Sequence, residues 1–202
     1  MHIEALDFLY YVKNTLPNYF INKKVLDVGG GDINGNNRHF FVNCEYHAND
    51  VCDAPNVTII AKTKDLEFND NTFDMIISSE CFEHDFEYEQ SLLKIYKMLK
   101  PGGLFCFTCA STGRAEHGTM RTSPYNCYAT IAKLDDFINY YKNLTIKDVN
   151  DVLNLNANFS QWSAYYNSAS YDLYFIGIKK SSFHNYLSIP QFIYNNTSLV
   201  KI

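Results

Sequence analysis

An aspartate and three consecutive glycines lie close together in the segment VLDVGGG, residues 25–31. Because they lack a Cβ atom, Gly29 and Gly31 allow a tight turn and let a ligand approach the backbone closely. Asp50 stands about 20 residues further along, where a carboxylate can accept hydrogen bonds from both hydroxyls of a ribose. The pattern differs from the G-x-G-x-x-G of nicotinamide-binding proteins, because the next glycine, Gly35, comes one residue too late. These residues predict a site for a ribose-bearing cofactor and leave its identity open.

The elements that must position these residues follow from the hydrophobic pattern. Short apolar runs alternate with segments of helical spacing, an order that predicts a parallel sheet with helices on both faces. One helix is predicted over residues 1–20, one directly after the glycine loop, and one over residues 86–100, ended by Pro-Gly-Gly. The segment 159–180 holds two aromatic-rich runs around Asn-Ser-Ala-Ser, which predicts an antiparallel hairpin. The strands predicted before it are 23–29, 45–50, 56–62, 73–79 and 103–110.

The composition fits a packed globular protein and argues against several classes of partner. The chain has 202 residues, a formal net charge of −5 and no basic block, so nucleic acid is not an expected partner. The apolar runs are far shorter than the roughly 20 residues of a membrane-spanning helix, and a cytoplasmic location is expected. Cys106 and Cys109 form a C-x-x-C pair within a predicted strand, where they point to opposite faces. We expect them to be reduced core residues rather than metal ligands.

The glycine loop and the segment from Asp65 to Thr108 together resemble the class I S-adenosylmethionine-dependent methyltransferases, especially their small-molecule branch. The family pattern is an acid and glycine loop, then D-L-P-F-x-D-x-S/T-F-D, then E-H, then a helix ending in L-K-P-G-G before a strand. Here the parts read VLDVGGG, DLEFNDNTFD, EH and LKPGGLF, in the same order. The resemblance implies an α/β Rossmann-like fold, a doubly wound, mostly parallel seven-stranded sheet with an antiparallel C-terminal hairpin and helices on both faces. It also implies a single methyltransferase domain over residues 1–202, with an N-terminal helix at 1–20, a core at 23–180 and a C-terminal extension at 181–202.

The same resemblance implies S-adenosyl-L-methionine as the cofactor and S-adenosyl-L-homocysteine as the product. Asp27 and the glycines match the loop that receives the methionine part, and Asp50 matches the ribose-binding acid. Lys62 departs from the pattern, because the family often has an adenine-contacting aspartate there; Asp65 or backbone amides would then make that contact. The implied cofactor-binding residues are Asp27, Gly29, Gly30, Gly31, Asn34, Asp50, Val51, Thr63, Lys64, Asp65, Leu66, Ser79 and Glu80.

Two histidines are candidates for the group that removes a proton from the methyl acceptor. His84 follows the predicted fourth strand and His117 the fifth, so both are expected to face one crevice. Histidine has an ordinary pKa of about 6.5 and accepts a proton at neutral pH. His117 is predicted as the catalytic base, and His84 is either catalytic or a structural residue at a helix start. Glu83 and Glu116 are the candidates for orienting either imidazole. The two histidines, Glu83 and Asp85 could gather around a metal, but no spacing demands one; no metal ligand is assigned, and the sequence leaves Mg²⁺ dependence open.

The arginines indicate an acceptor with a negative group. Arg114 and Arg121 flank His117, and a guanidinium binds carboxylate or phosphate in a bidentate way. Together with Glu116 they are predicted to bind the substrate, the alternative being that both arginines only pin a loop. The predicted function is methyl transfer to a small-molecule acceptor, at an oxygen of a sugar, a nucleotide sugar or a small carboxylate metabolite. The alternatives are a non-catalytic cofactor-binding or scaffold protein of this fold, and an RNA or protein methyltransferase.

Overall fold

The computed structural model describes residues 2–182 and 198–202, and within them eight strands form one twisted sheet. The strand order is β3-β2-β1-β4-β5-β7-β6-β8. Strands β1 to β5 pair with one another in parallel, whereas the pairs β5–β7, β7–β6 and β6–β8 are antiparallel. The strands are β1 (Lys24–Val28), β2 (Glu45–Asp50), β3 (Ile59–Ile60), β4 (Phe73–Ser79), β5 (Leu99–Ala110), β6 (Phe159–Asn167), β7 (Asp172–Lys179) and β8 (Leu199–Lys201). The predicted Rossmann-like fold class is confirmed, with one strand more than the seven predicted.

Helices cover both faces of this sheet, as predicted. The helices are α1 (Ile3–Thr15), α2 (Tyr88–Met98), α3 (Tyr128–Ile131), α4 (Ile146–Leu153) and α5 (Leu155–Asn158). Helix α1 packs on one face, where Phe8 stacks on Tyr174 with ring centroids 4.8 Å apart. Helices α2 and α4 bury Leu92 and Leu153 on the other face. Neighbouring strand residues therefore enter different cores, and each core holds its helices against the sheet.

The helix predicted directly after the glycine loop is absent, and that prediction is wrong. The connection from β1 to β2 contains only a one-turn 3-10 helix at Arg38–Phe40. Its sequence, GGGDINGNNR, is rich in glycine and asparagine, which are poor helix formers. Asp32 accepts hydrogen bonds from the backbone N–H of Gly35, at 2.7 Å, and from the Asn36 side chain, at 2.6 Å. These local bonds stabilise a turn in place of a helix.

The junction between α2 and β5 also differs from the prediction. The helix ends at Met98, and Leu99 already belongs to β5, where it pairs with Phe73 of β4. A residue that precedes proline is disfavoured in the α conformation, so Lys100 before Pro101 leaves the helix early. Strand β3 is likewise shorter than predicted, with two residues.

The remaining predictions concern the cysteines and the chain end. Cys106 and Cys109 are buried in different cores, on opposite faces of β5, and both are free thiols. The C-terminal segment contributes β8, which pairs with β6. Residues 183–197 of the C-terminal extension predicted at 181–202 lie outside the described residues. Among the described helices, none is long and apolar enough to span a membrane.

Candidate functional site

A cavity opens where the carboxyl ends of β1, β2 and β4 meet the loops that follow β4 and β5. This is the edge at which open parallel sheets bind their ligands. Most of the predicted cofactor residues line it. From the glycine loop these are Asp27, Gly29, Gly30, Gly31 and Asn34, and from later segments Asp50, Val51, Thr63, Ser79 and Glu80.

The three glycines allow the end of β1 to pack directly against its neighbours. Gly29 has a φ of +66°, and a Cβ atom added there would lie 2.2 Å from the Sγ atom of Cys81. A Cβ at Gly30 would lie 2.8 Å from the Cβ of Ala48, and one at Gly31 would lie 2.7 Å from a carboxylate oxygen of Asp50. Side chains at these positions would displace the walls of the cavity, so the loop needs glycine for both conformation and space.

Asp50 is held in place by two backbone amides. Its Oδ1 accepts a hydrogen bond from the N–H of Val51, at 2.7 Å, and its Oδ2 accepts one from the N–H of Gly31, at 3.2 Å. Burial raises the pKa of this carboxyl, while the two backbone bonds lower it. A carboxylate has about four acceptor positions, so lone pairs remain for the hydroxyls of a ligand.

Asp27 is fully buried in β1, just before the glycine loop, and its hydrogen bonds connect β1 to neighbouring segments. It accepts hydrogen bonds from the Asn37 side chain, at 2.9 Å, and from the hydroxyl of Tyr46. Burial raises the pKa of Asp27 to about 6, although these hydrogen bonds act against the shift. Asn37 also donates to the Ser79 hydroxyl, at 3.1 Å, and so connects β1 with β4. Asn37 and Tyr46 were missed by the sequence reasoning, because nothing in their local sequence marks a contact with Asp27.

Of the predicted cofactor-binding residues at positions 63–66, only one lines the cavity. Thr63 lines the cavity, whereas Lys64, Asp65 and Leu66 do not. Lys64 and Asp65 form an ion pair at 2.9 Å, and Leu66 is buried in the core that α2 covers. Lys62, which departs from the family pattern, does line the cavity. Its ammonium group lies 2.8 Å from a carboxylate oxygen of Glu87. The same ammonium lies 4.7 Å from the ring centre of Phe86.

The predicted catalytic residues come together at the other end of the cavity. The rings of His84 and His117, both in the cavity wall, are perpendicular with centroids 5.1 Å apart. The Nε2 atom of His117 lies 4.0 Å from the Oε1 atom of Glu83. Glu83 is fully buried, and neither of its carboxylate oxygens has a hydrogen-bond partner among the described residues.

Burial favours the neutral forms of two of these groups. It lowers the pKa of His84 to about 3, with a smaller contribution from His117. It also raises the pKa of the Glu83 carboxyl well above its ordinary value, helped by the charge of Glu80. His84 is therefore a neutral imidazole at physiological pH, able to offer a lone pair.

The predicted substrate residues separate into two locations. Arg114 lines the cavity, donates a hydrogen bond to the Ser170 carbonyl at 2.6 Å, and lies 3.7 Å from Asp172. Glu116 and Arg121 form an exposed ion pair at 3.0 Å and do not line the cavity. The contacts of Glu116 and Arg121 match the loop-pinning alternative, and their predicted role in substrate binding stays a prediction.

His2 is a cavity residue that the sequence reasoning missed. Its Nε2 atom lies 2.9 Å from Asp172 and 3.2 Å from Glu80, and its Nδ1 atom lies 2.9 Å from Glu4. Burial lowers the pKa of His2, but the hydrogen bonds to Asp172 and Glu80 outweigh that effect and raise it to about 10. The sequence gives no signal for this contact, because the three partners come from α1, the end of β4 and the start of β7.

Comparison with known proteins supports the Rossmann-like fold described above. Residues 24–107 match a family model described as a methyltransferase domain. Over 50 residues, a quarter of the chain, the sequence is 40% identical to phosphoethanolamine N-methyltransferase 2 of Caenorhabditis elegans, and this stretch is 11% of that protein.

Two solved structures show the similarity over most of the chain. Phosphoethanolamine N-methyltransferase 2 of Haemonchus contortus, in complex with S-adenosyl-L-methionine, superposes with a TM-score of 0.60 at 15% identity, over 87% of this chain and 53% of that one. The 1,6-didemethyltoxoflavin-N1-methyltransferase of Burkholderia thailandensis, with its substrate and S-adenosylhomocysteine bound, gives a TM-score of 0.55 at 16% identity, over 88% of each chain. Residues 24–107 therefore match the model of a methyltransferase domain, and the chain shares the fold of these two methyltransferase structures.

Proposed function

We propose that this chain binds S-adenosyl-L-methionine and transfers its methyl group to a small-molecule acceptor. The observation that carries the proposal is the corner formed by Gly29, Gly31 and Asp50. Only glycine fits beside Cys81 and Asp50, and the Asp50 carboxylate is held at the cavity by two backbone amides. In this proposal the methionine part of the cofactor lies against the glycine loop and the ribose hydroxyls bind Asp50. S-adenosyl-L-homocysteine is the product.

The sulfonium supplies an activated methyl group, so the protein must position the acceptor in line with the methyl carbon and sulfur. Such positioning contributes on the order of 7 kcal/mol or more to lowering a barrier. The acceptor is proposed to bind at the end of the cavity where His84, His117 and Arg114 lie together. His117 at this wall suits the predicted role of a base that takes a proton from a hydroxyl acceptor.

Arg114 supports an acceptor with a negative group, since its guanidinium lies in the cavity wall and, among the described residues, its Nη1 atom makes the contacts with the Ser170 carbonyl and Asp172. We therefore propose an acceptor oxygen on a sugar, a nucleotide sugar or a small carboxylate metabolite. The net charge of −5 and the absence of a basic block in the sequence favour a small molecule over nucleic acid.

A thermal-shift and calorimetry experiment tests the cofactor proposal. S-adenosyl-L-methionine and S-adenosyl-L-homocysteine should each raise the melting temperature and bind with one-to-one stoichiometry, because a ligand that binds the native state stabilises it. NAD should do neither. Binding of NAD alone, or of none of these ligands, would contradict the proposal.

A turnover assay then separates an enzyme from a non-catalytic binding protein. Release of S-adenosyl-L-homocysteine is measured with a panel of hydroxycarboxylates, nucleotide sugars and phosphoethanolamine. The proposal expects turnover with an anionic hydroxyl acceptor. Turnover with the amine alone would assign nitrogen as the methylated atom in place of oxygen. Cofactor binding without turnover by any member would favour the scaffold alternative.

A further inference from the structure

The end of the cavity around Glu83 contains buried polar atoms with no partner. Glu83 is fully buried, and neither of its carboxylate oxygens makes a hydrogen bond of normal geometry within the described part of the chain, although the backbone N–H groups of Glu83 and Ala110 are close enough to lower its pKa. The Nδ1 atom of the neighbouring His84 is also buried and unpartnered there. Leaving a buried polar group without a partner is energetically costly, and proteins rarely leave several of them together. The arrangement therefore points to a bound species that these atoms would contact.

The tautomer of His117 shows what kind of species fits. Its Nδ1 atom lies 3.2 Å from the carbonyl oxygen of Ala115, an acceptor, so Nδ1 carries the proton. The Nε2 atom then presents a lone pair toward Glu83, whose Oε1 atom is 4.0 Å away. This distance is too long for a hydrogen bond. A cation in this gap would displace the carboxyl proton that burial favours, and would contact both the Glu83 carboxylate and this lone pair.

The spacing suits a single metal ion. One ligand atom from each of Glu83, His84 and His117 lies within 4.8 Å of the other two. Bonds of about 2.0–2.2 Å place two ligands of one ion at most about 4.3 Å apart. Small rotations of the side chains would therefore close the set around an ion.

We propose that Glu83, His84 and His117 bind one divalent first-row transition ion at the acceptor end of the cavity. Two imidazoles with one carboxylate suit zinc, iron(II), cobalt(II) or nickel(II), whereas magnesium and calcium prefer oxygen ligands. Three protein ligands leave coordination positions open toward the cavity, as in metal sites that bind a substrate or water.

The surroundings of the histidines resemble the second layer of a metal site. A metal-bound histidine almost always donates its other ring N–H to a carbonyl, a carboxylate or water, and the Ala115 carbonyl takes that place for His117. Tyr141 packs against both imidazoles, with ring centroids 5.6 Å from His84 and 5.1 Å from His117. The Tyr141 hydroxyl donates a hydrogen bond to the same Ala115 carbonyl, at 3.1 Å. The Ala115 carbonyl therefore orients both the His117 ring and the Tyr141 ring.

A second histidine–carboxylate group in the cavity shows why spacing alone is not enough. His2, Glu80 and Asp172 also bring their ligand atoms within 4.8 Å of one another. There, however, the His2 ring contacts both carboxylates directly, at 2.9 and 3.2 Å. The proton of His2 already occupies the position that a metal would take, so we assign no ion to that group.

The consequence for the acceptor rests on the proposed function, whereas the ion site does not. An ion in this position would bind the acceptor oxygen and lower the pKa of its hydroxyl. The proton then leaves to water, the oxygen bonds to the methyl carbon, and the electron pair of the breaking carbon–sulfur bond stays on sulfur. His117 is in that case a metal ligand and not the proton acceptor predicted from the sequence.

Cobalt(II) is the probe for the site. Tag-free protein is treated with a chelator, dialysed and titrated with CoCl2 without cofactor, while visible absorption and calorimetry are recorded. We expect one ion per chain, with ligand-field bands and no thiolate charge-transfer band, and displacement by ZnCl2. Absence of binding would overturn the proposal, and so would a thiolate band, because Cys81 and Cys127 also line the cavity.

Matched variants identify the ligands. Glu83→Gln and His117→Asn should each weaken cobalt binding more than about 100-fold, since loss of an outer partner alone costs about 10–100-fold. His39→Asn, at an exposed histidine that does not line the cavity, should leave the cobalt affinity unchanged. If Glu83→Gln does not fold, His117→Asn decides, because the His117 side chain is partly exposed. Unchanged affinity in a folded ligand variant would overturn the proposal.

Parallel calorimetry with S-adenosyl-L-homocysteine keeps the two proposals apart. Cobalt binding by a protein that does not bind this thioether would retain the ion site and end the proposed function. Binding of the thioether by a protein that does not bind cobalt would overturn the ion site and leave the proposed function standing.

Discussion

The two ends of the cavity differ in how their polar groups are satisfied. At the end around Asp50, backbone amides and neighbouring side chains already occupy the carboxylates of Asp27 and Asp50. At the end around Glu83, the carboxylate and the Nδ1 atom of His84 are buried without partners among the described residues. The first end is organised before a ligand arrives, and preorganised groups bind with a small reorganisation cost. The second end depends on a species from outside the chain.

The largest expected effect is that of Gly29→Ala, which should disrupt the end of the cavity around Asp50, called here the organised end. The new Cβ would meet Sγ of Cys81 at 2.2 Å, and the backbone has a φ of +66°. We expect calorimetry to show at least about 100-fold weaker binding of S-adenosyl-L-homocysteine, because overpacking costs roughly 1–3 kcal/mol or more and the strained φ adds to it.

Gly102→Ala is the matched control, with a φ of +75° and open space around the position. It should lose stability from backbone strain and keep its affinity. Equal affinity in the two variants would mean that the glycine corner does not shape the cofactor site.

Asp50→Asn should have the next largest effect. The amide keeps the shape of the side chain but loses the charge that accepts hydrogen bonds from ribose hydroxyls. Hydrogen bonds to charged groups contribute about 1.5–3 kcal/mol, so affinity for S-adenosyl-L-homocysteine should fall about 10–100-fold. Asp53→Asn, at an exposed acid nearby, should bind as the wild type does. A smaller loss at Asp50 than at Asp53 would remove the assigned role.

Arg114→Ala sharpens the comparison at the acceptor end. With an anionic acceptor identified by turnover, its KM should rise about tenfold, the lower part of the range for charged hydrogen bonds. Affinity for the cofactor should stay within about twofold of wild type, as both ends are then independent. Arg121→Ala is the control, since Arg121 pairs with Glu116 outside the cavity. An equal rise in KM for Arg121→Ala would mean that both arginines only stabilise the loop and that neither binds the acceptor.

The smallest effect concerns pH and His2. Because the folded-state pKa of His2 is about 10, above its ordinary value of 6.5, its protonated form stabilises the fold fully below pH 6.5. That stabilisation is lost as the pH rises from 6.5 through 10. The difference in unfolding free energy between wild type and His2→Gln, measured in urea, should shrink between pH 6 and pH 9.5. A pH-independent difference for His2→Gln would contradict the assignment.

The organised end was largely predictable from sequence because its parts follow strands directly. Gly29 and Asp50 stand at the ends of β1 and β2, so local pattern and sheet geometry place both at one edge. Asn37, Tyr46 and His2 were not predictable, because each acts through a contact with a residue that is distant in sequence. The helix after the glycine loop was predicted wrongly, because the hydrogen bonds that Asp32 accepts from Gly35 and Asn36 stabilise a turn there.

The short 3-10 turn at Arg38–Phe40, in place of a helix after β1, changes the electrostatics of the glycine corner. An α-helix starting there would direct the positive end of its macrodipole, about half an elementary charge, at an anion in the corner. This chain has no such dipole at that point. The carboxylate of a bound amino-acid group would have to be neutralised by individual N–H donors of the loop. Its binding would therefore depend on the loop keeping one conformation, and chain entropy in residues 29–37 would enter the affinity directly.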